Sequence, residues 1–209
     1  KTAWMTISLT DTGKRFNRDW IFRHLEYQFI SGNQYAITGP NGSGKSTLLQ
    51  VIAGAIASSE GKIEYLIDTI PHPAEDAYKY ISIATPYLEL VEEMTLREFL
   101  EFHQQFKPFL KAMTIPGMIA TLGLEKAREK QIRYFSSGMK QRVKLGQAVF
   151  SNTPVLLLDE PCTNLDAEGV SLYQNLMKDY SNGRLVIVSS NDEQEYRFCE
   201  EVIDIRSYK

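Results

Sequence analysis

Only two cysteines, Cys162 and Cys199, occur among 209 residues. Two thiols cannot build a disulfide framework, so the composition fits a reducing compartment. No stretch approaches ~20 uninterrupted apolar residues, so no segment is expected to span a membrane. The opening Lys1-Thr2-Ala3-Trp4 has no apolar core of the length a secretion signal needs, and none is expected. Positive charge is in slight deficit: 23 Lys and Arg against 26 Asp and Glu leave a net charge of −3. Without a long basic run, nucleic acid is not expected as the main partner. Histidine is scarce, and His24, His72 and His103 fall outside every motif described below, so all three read as surface or structural residues. There is no internal repeat, low-complexity tract or obvious linker. The length is enough for one domain, 1–209, with a sizeable core.

What is present is concentrated at residues 39–47, Gly39-Pro40-Asn41-Gly42-Ser43-Gly44-Lys45-Ser46-Thr47. This is a complete phosphate-binding P-loop. It follows a short apolar run, Gln34-Tyr35-Ala36-Ile37-Thr38, that reads as a buried strand, and precedes Leu48-Leu49-Gln50-Val51-Ile52-Ala53, a good helix opening. That strand–loop–helix setting is what the motif requires. Its glycines let the backbone turn tightly with N–H groups pointing inward as a nest for phosphate oxygens. The helix start adds partial positive charge. Lys45 can reach the β- and γ-phosphates, and the Ser46 hydroxyl can ligate Mg²⁺.

Periodicity places the remaining elements. Trp4–Leu9, Leu25–Phe29 and Lys62–Leu66 alternate like half-exposed strands, which predicts a small antiparallel lobe near the N-terminus. Tyr80–Ala84 is another strand. At Thr95 the period changes to helical, with Thr95 and Glu98 as a capping box. Residues 113–130 read as helix broken by Pro116 and Gly123, so roughly 87–140 is expected to be a helical subdomain. Val155–Leu158 and Leu185–Val188 are near-continuous apolar runs, suited to strands buried on both faces of a parallel sheet. A helix from about Glu168 to Tyr180 between them makes a βαβ unit. The fold class is α/β: a P-loop core with a mostly parallel sheet, the small β lobe and the helical insert.

Two further segments carry chemistry. Leu156-Leu157-Leu158-Asp159-Glu160-Pro161 reads as a Walker B strand end. Asp159 stands where the strand stops and can hold Mg²⁺ through water. Glu160 points elsewhere and suits polarising an attacking water, a service worth ~10²–10⁴-fold in rate. An exposed acidic pair closing a strand is the alternative. Phe135-Ser136-Ser137-Gly138-Met139-Lys140-Gln141-Arg142 joins a serine-rich helix start to a basic first turn. Ser136 and the N–H groups behind it can bind an anion, or simply cap an ordinary helix.

Together these segments resemble the ATP-binding cassette (ABC) ATPase family, across essentially the whole chain. In order come the P-loop, a signature-like segment at 135–139, Walker B at 155–160 and a D-loop-like Asn164-Leu165-Asp166. The resemblance implies binding of ATP and Mg²⁺, with Asn41 to Thr47 around the phosphates, Ser46 and Asp159 on the metal, and Lys45 and Glu160 in catalysis. It also implies a head-to-tail homodimer on ATP binding, in which Ser136 and Gly138 of one subunit face the γ-phosphate held by the other. Phe16 falls where the family stacks an aromatic on adenine, although a core position is the other reading.

The pattern breaks at two places. Where the family has a glutamine touching Mg²⁺ and the attacking water, this chain has Thr85-Pro86-Tyr87, and proline offers no side-chain donor or acceptor. Where a histidine is usual beside the γ-phosphate, Val188-Ser189-Ser190-Asn191-Asp192 supplies Asn191, which cannot carry charge or shuttle a proton. In the signature segment Phe135, Ser137 and Met139 replace Leu, Gly and Gln, which are milder changes. Binding is therefore expected intact and hydrolysis slow in isolation. The expected function is the ATPase subunit of an ABC transporter, peripheral on the cytoplasmic membrane face and acting through a separate transmembrane subunit. A soluble nucleotide-sensing module with little turnover, or an ABC ATPase outside transport, are the alternatives. The resemblance puts the membrane partner on Tyr87-Leu88-Glu89-Leu90-Val91, where ordinary loop packing is equally compatible.

Overall fold

The computed structural model describes residues 4–209, so the reading of Lys1-Thr2-Ala3 lies outside them. In chain order the first elements are β1 (Met5–Phe16), β2 (Asp19–Ile30), β3 (Gln34–Thr38), α1 (Lys45–Ile52), β4 (Glu60–Ile67), β5 (Ile70–His72) and β6 (Ile81–Ala84). Then come α2 (Leu96–Phe106), α3 (Ile115–Thr121), α4 (Ser137–Val149), β7 (Val155–Asp159), α5 (Ala167–Tyr180), β8 (Leu185–Ser189), α6 (Glu193–Tyr196) and β9 (Glu201–Asp204). Among the described residues, no helix is long and apolar enough to cross a membrane.

The chain divides into two compact units. The first comprises residues up to Ile83 with Thr153–Glu160 and Gly183–Lys209; the second comprises Ala84–Asn152 and Pro161–Asn182. The first unit holds two sheets. One is antiparallel, in the order β2-β1-β4-β5, and is the predicted N-terminal lobe. The other has the order β6-β7-β8-β3-β9, with β7, β8, β3 and β9 parallel. This mixed α/β architecture is the expected fold class. Alternation sets the lobe: Met5, Ile7 and Leu9 are buried and Thr6, Ser8 and Thr10 between them are not. They join Leu48, Leu49 and Val51 of α1 and Val155, Leu157, Leu185 and Ile187 of the parallel strands in one apolar core. Every residue of β7 and β8 is buried, as their unbroken apolar runs require.

Two expectations need correction. The first strand runs past its alternating stretch to Phe16, and the second begins at Asp19, six residues before its own. The register with β2 shifts between Leu9 and Thr12 and again between Thr12 and Lys14, and Asp11 has φ 45°. These bulges break the period of two without ending the strand, which is why alternation alone stops early. Pro116 does not break a helix; it lies in the first turn of α3, behind the cap Thr114, whose hydroxyl accepts from Gly117 N–H at 3.2 Å. In that turn the N–H that proline lacks has no helical partner anyway. Gly123, at φ 69° just past the helix end, does stop it.

The remaining helix signals hold. Glu98 N–H donates to Thr95 Oγ1 at 3.2 Å and Thr95 N–H donates to Glu98 Oε2 at 2.8 Å, the reciprocal capping box. Asp166 caps α5 by accepting from Gly169 N–H at 2.8 Å.

Candidate functional site

In the first unit, β3 ends at Thr38 and the chain turns through Gly39, Gly42 and Gly44, all in the left-handed region at φ 141°, 76° and 104°. A Cβ on Gly44 would lie 2.3 Å from the Ile21 side chain, so that residue is glycine for space as well as for backbone. The loop delivers the chain into α1, whose first turn has no acidic residue and no side-chain cap. Its opening N–H groups are left to an anion. Lys45 is only 4% exposed. Its ammonium lies across the loop, donating to the carbonyls of Gly39 at 2.8 Å and Pro40 at 3.4 Å. The buried Ser43 hydroxyl has no hydrogen-bond partner among the described residues. Asn41 and Gly42 are exposed, and Ser46 and Thr47 are half-buried.

Asp159 closes β7 at 2% exposure, and its Oδ1 has no partner among the described residues. Glu160, next along, is held in the left-handed region at φ 43°, with its N–H donating to the Ser189 carbonyl at 2.8 Å. Asn191 comes to the P-loop itself. Its Oδ1 accepts from Gly39 N–H at 3.2 Å and its amide donates to Asn41 Oδ1 at 3.1 Å. Phe16 is 49% exposed, which removes the core reading; the Lys14 ammonium lies 5.1 Å from its ring centre.

The second unit carries the signature-like segment. Ser136 caps α4, its hydroxyl accepting from Met139 N–H at 3.3 Å. Ser136 and Gly138 line an open cavity together with Asn164 and Asp166. A Cβ on Gly138 would approach the Asn164 carbonyl to 3.1 Å. Arg142, one and a bit turns along α4, donates to the Leu122 carbonyl at 3.3 Å and pairs with Glu168 at 3.4 Å and Asp166 at 3.7 Å. In the same unit the Pro86 carbonyl accepts from Lys144 at 2.6 Å, and Lys140 pairs with Glu92. Burial and the neighbouring Lys140 lower the Lys144 pKa. In the run after Pro86, Tyr87 is 80% exposed while Leu90 is buried, so the segment is part surface and part packing.

The histidines are structural or superficial, as read. Exposed His24 faces Asp11 at 2.7 Å, and His72 packs on Tyr80. His103 stacks on Phe109 and meets Ser151 Oγ at 3.0 Å; burial pushes its pKa down to about 4. Among the described residues, no three His, Cys, Asp or Glu groups cluster as a self-sufficient metal site. Motif reading passes over Ser189, a buried hydroxyl ending an otherwise apolar strand. Its one sequence signal is that polar interruption.

A family model described as ABC transporter matches residues 22–163. An uncharacterized ABC transporter ATP-binding protein, YybJ of Bacillus subtilis (strain 168), is 28% identical over 90% of this chain and 87% of its own length. The cytochrome c biogenesis ATP-binding export protein CcmA of Brucella abortus (strain 2308) is 29% identical over 81% of this chain and 77% of its own. Among solved structures, the ATP-binding cassette MJ0796, dimeric in a post-hydrolysis state with ADP and Pi, superposes with a TM-score of 0.81 at 24% identity. That likeness covers 95% of this chain and 94% of the other, and it shows the fold. With its P-loop and Walker B strand end in place and the family model matched over the greater part of its length, the chain belongs to the ABC transporter family.

Proposed function

We propose that residues 1–209 form a single ABC ATPase domain, the ATP-binding and ATP-hydrolysing subunit that drives a transporter through a separate membrane protein. The observation that carries this reading is the P-loop cradle. Its open helix start and its buried lysine are held ready by the backbone, with Lys45 engaged, among the described residues, by its own loop's carbonyls. A triphosphate can take that ammonium over without disturbing any other side chain. Backbone N–H groups of residues 44 to 47 would cradle the phosphates and Lys45 would neutralise the β- and γ-phosphates. The residues also fit Mg²⁺: Asp159 Oδ1 is a buried acceptor with no other partner among the described residues, and Ser46 supplies a hydroxyl. The ion would be held by Ser46 and Asp159 and would offset phosphate charge. Glu160 accepts the proton of the attacking water, and Phe16 offers an exposed face to adenine.

The relatives named above as ATP-binding proteins of transport and export support the transporter setting, and the dimeric cassette supports a homodimer. In our reading the dimer is head-to-tail, with Ser136 and Gly138 meeting the γ-phosphate bound by the partner. The pair then sits on the cytoplasmic face of the membrane, touching its transmembrane subunit near Tyr87. Turnover is slow in isolation because Pro86 cannot position water and Asn191 cannot carry charge. The test is capture of an affinity-tagged chain from detergent-solubilised membranes of its own host. A multi-span membrane protein in fixed ratio is the expected result. A chain recovered wholly from the aqueous fraction, with no membrane protein bound, overturns the transporter reading.

A further inference from the structure

Ser189 is fully buried at the end of β8, and its hydroxyl has no hydrogen-bond partner among the described residues. A buried hydroxyl without a partner loses its water and gains nothing in return, so the position calls for a ligand. Its register partner on β7 is Asp159, whose Oδ1 is in the same condition. Register partners on neighbouring strands share a face of the sheet. On this face the alternate residues Val155 and Leu157 of β7, and Leu185 and Ile187 of β8, join the core with Leu48 and Leu49 of α1. The two unpartnered polar groups thus stand side by side at the carboxyl ends of parallel strands, on the α1 side. Ligands of open α/β sheets bind at such strand ends. The Ser189 backbone is engaged as well: its carbonyl accepts from Glu160 N–H at 2.8 Å.

We propose that Ser189 is a positioning residue of the metal–nucleotide site, its hydroxyl holding a water of the divalent cation's hydration shell beside Asp159. A hydroxyl can both donate and accept, so it can orient a water that a carboxylate alone would only accept from. That is part of the service Pro86 cannot give. The inference rests on the nucleotide-site reading above, and the experiment separates the two.

Mn²⁺ serves as the probe, titrated by electron paramagnetic resonance into the protein saturated with ADP, so that no turnover is involved. Ser189→Ala is expected to weaken Mn²⁺ binding about 2- to 10-fold, the worth of one ordinary hydrogen bond. Its melting temperature without metal or nucleotide is expected to equal or exceed that of wild type, because the substitution removes a group that has no partner there. Unchanged Mn²⁺ affinity overturns the proposal. So does a variant that melts earlier without ligands or fails to fold, since the hydroxyl would then be structural. If wild type itself does not bind Mn²⁺ with ADP, the nucleotide-site reading fails, and the role of Ser189 with it.

Discussion

In the first unit, Lys45, Asp159 and Ser189 are each at most 4% exposed, and the parallel strands that end beside them are buried throughout. In the second, Ser136, Asn164 and Asp166 are exposed, and the ion pairs near them are exposed at Arg133–Glu93 and half-exposed at Lys140–Glu92, with the Arg142 side chain largely buried in its pair with exposed Glu168. The phosphate cradle is therefore fixed by backbone and core before any ligand arrives. The signature segment is fixed by caps and screened charges that contribute little to stability. If the proposed head-to-tail dimer forms, this asymmetry suits it: the binding half would be preorganised, while the half meeting the partner's nucleotide would present open donors.

The largest expected effect tests the chemistry of the first unit. Glu160→Gln keeps the turn at φ 43° that Ser189 holds, but removes the base. Steady-state phosphate release should fall about 10²–10⁴-fold. With MgATP, light scattering should then show a trapped dimer that a second change, Ser136→Arg in the exposed cap, prevents. A variant that keeps wild-type turnover, or stays monomeric at saturating ATP, breaks the proposed link between the two units' sites.

Stability sharpens the same contrast. Leu157→Ala empties a position at 0% exposure in the shared core and should cost about 2–5 kcal/mol in urea unfolding. Lys140→Met gives up one half-exposed ion pair and should stay within about 1 kcal/mol. Equal costs would show that the second unit is held by its charges after all.

Much of this was legible beforehand. The runs at 155–158 and 185–188 are apolar without alternation because both strand faces are covered, and the Thr95–Glu98 box caps its helix as its spacing requires. The P-loop glycines adopt the left-handed backbone that their pattern implies. What stayed hidden depends on contacts between distant segments. The bulges at Thr12 appear only when β1 meets its neighbours. Asn191 reads as a weakened histidine, yet 152 positions from Gly39 it supplies both halves of an amide to the loop. Ser189 shows in the sequence only as a polar end to an apolar run, and its missing hydrogen-bond partner is apparent only once β7 and β8 are paired.

A smaller effect concerns the departures themselves. Asn191→His alone should raise kcat modestly, and with Pro86→Gln the gain should be larger and non-additive, with KM for ATP changing less than kcat. The Asn191 contacts add a condition. The gain requires that the imidazole keep accepting from Gly39 N–H, which its neutral form can do. Phosphate-release kinetics of wild type, both single variants and the double variant between pH 6 and 8 check this. A wild type as fast as the double variant means that another group already fills these roles.

The central claim is that the first unit is a preformed MgATP cradle with Lys45 as its mobile cation, and isothermal titration of MgATP into wild type and Lys45→Ala tests it most directly. Wild type should bind at one site per chain, and the variant should lose on the order of 10²-fold in affinity, the worth of a charged hydrogen-bond donor. Equal affinity in the two proteins would contradict the account.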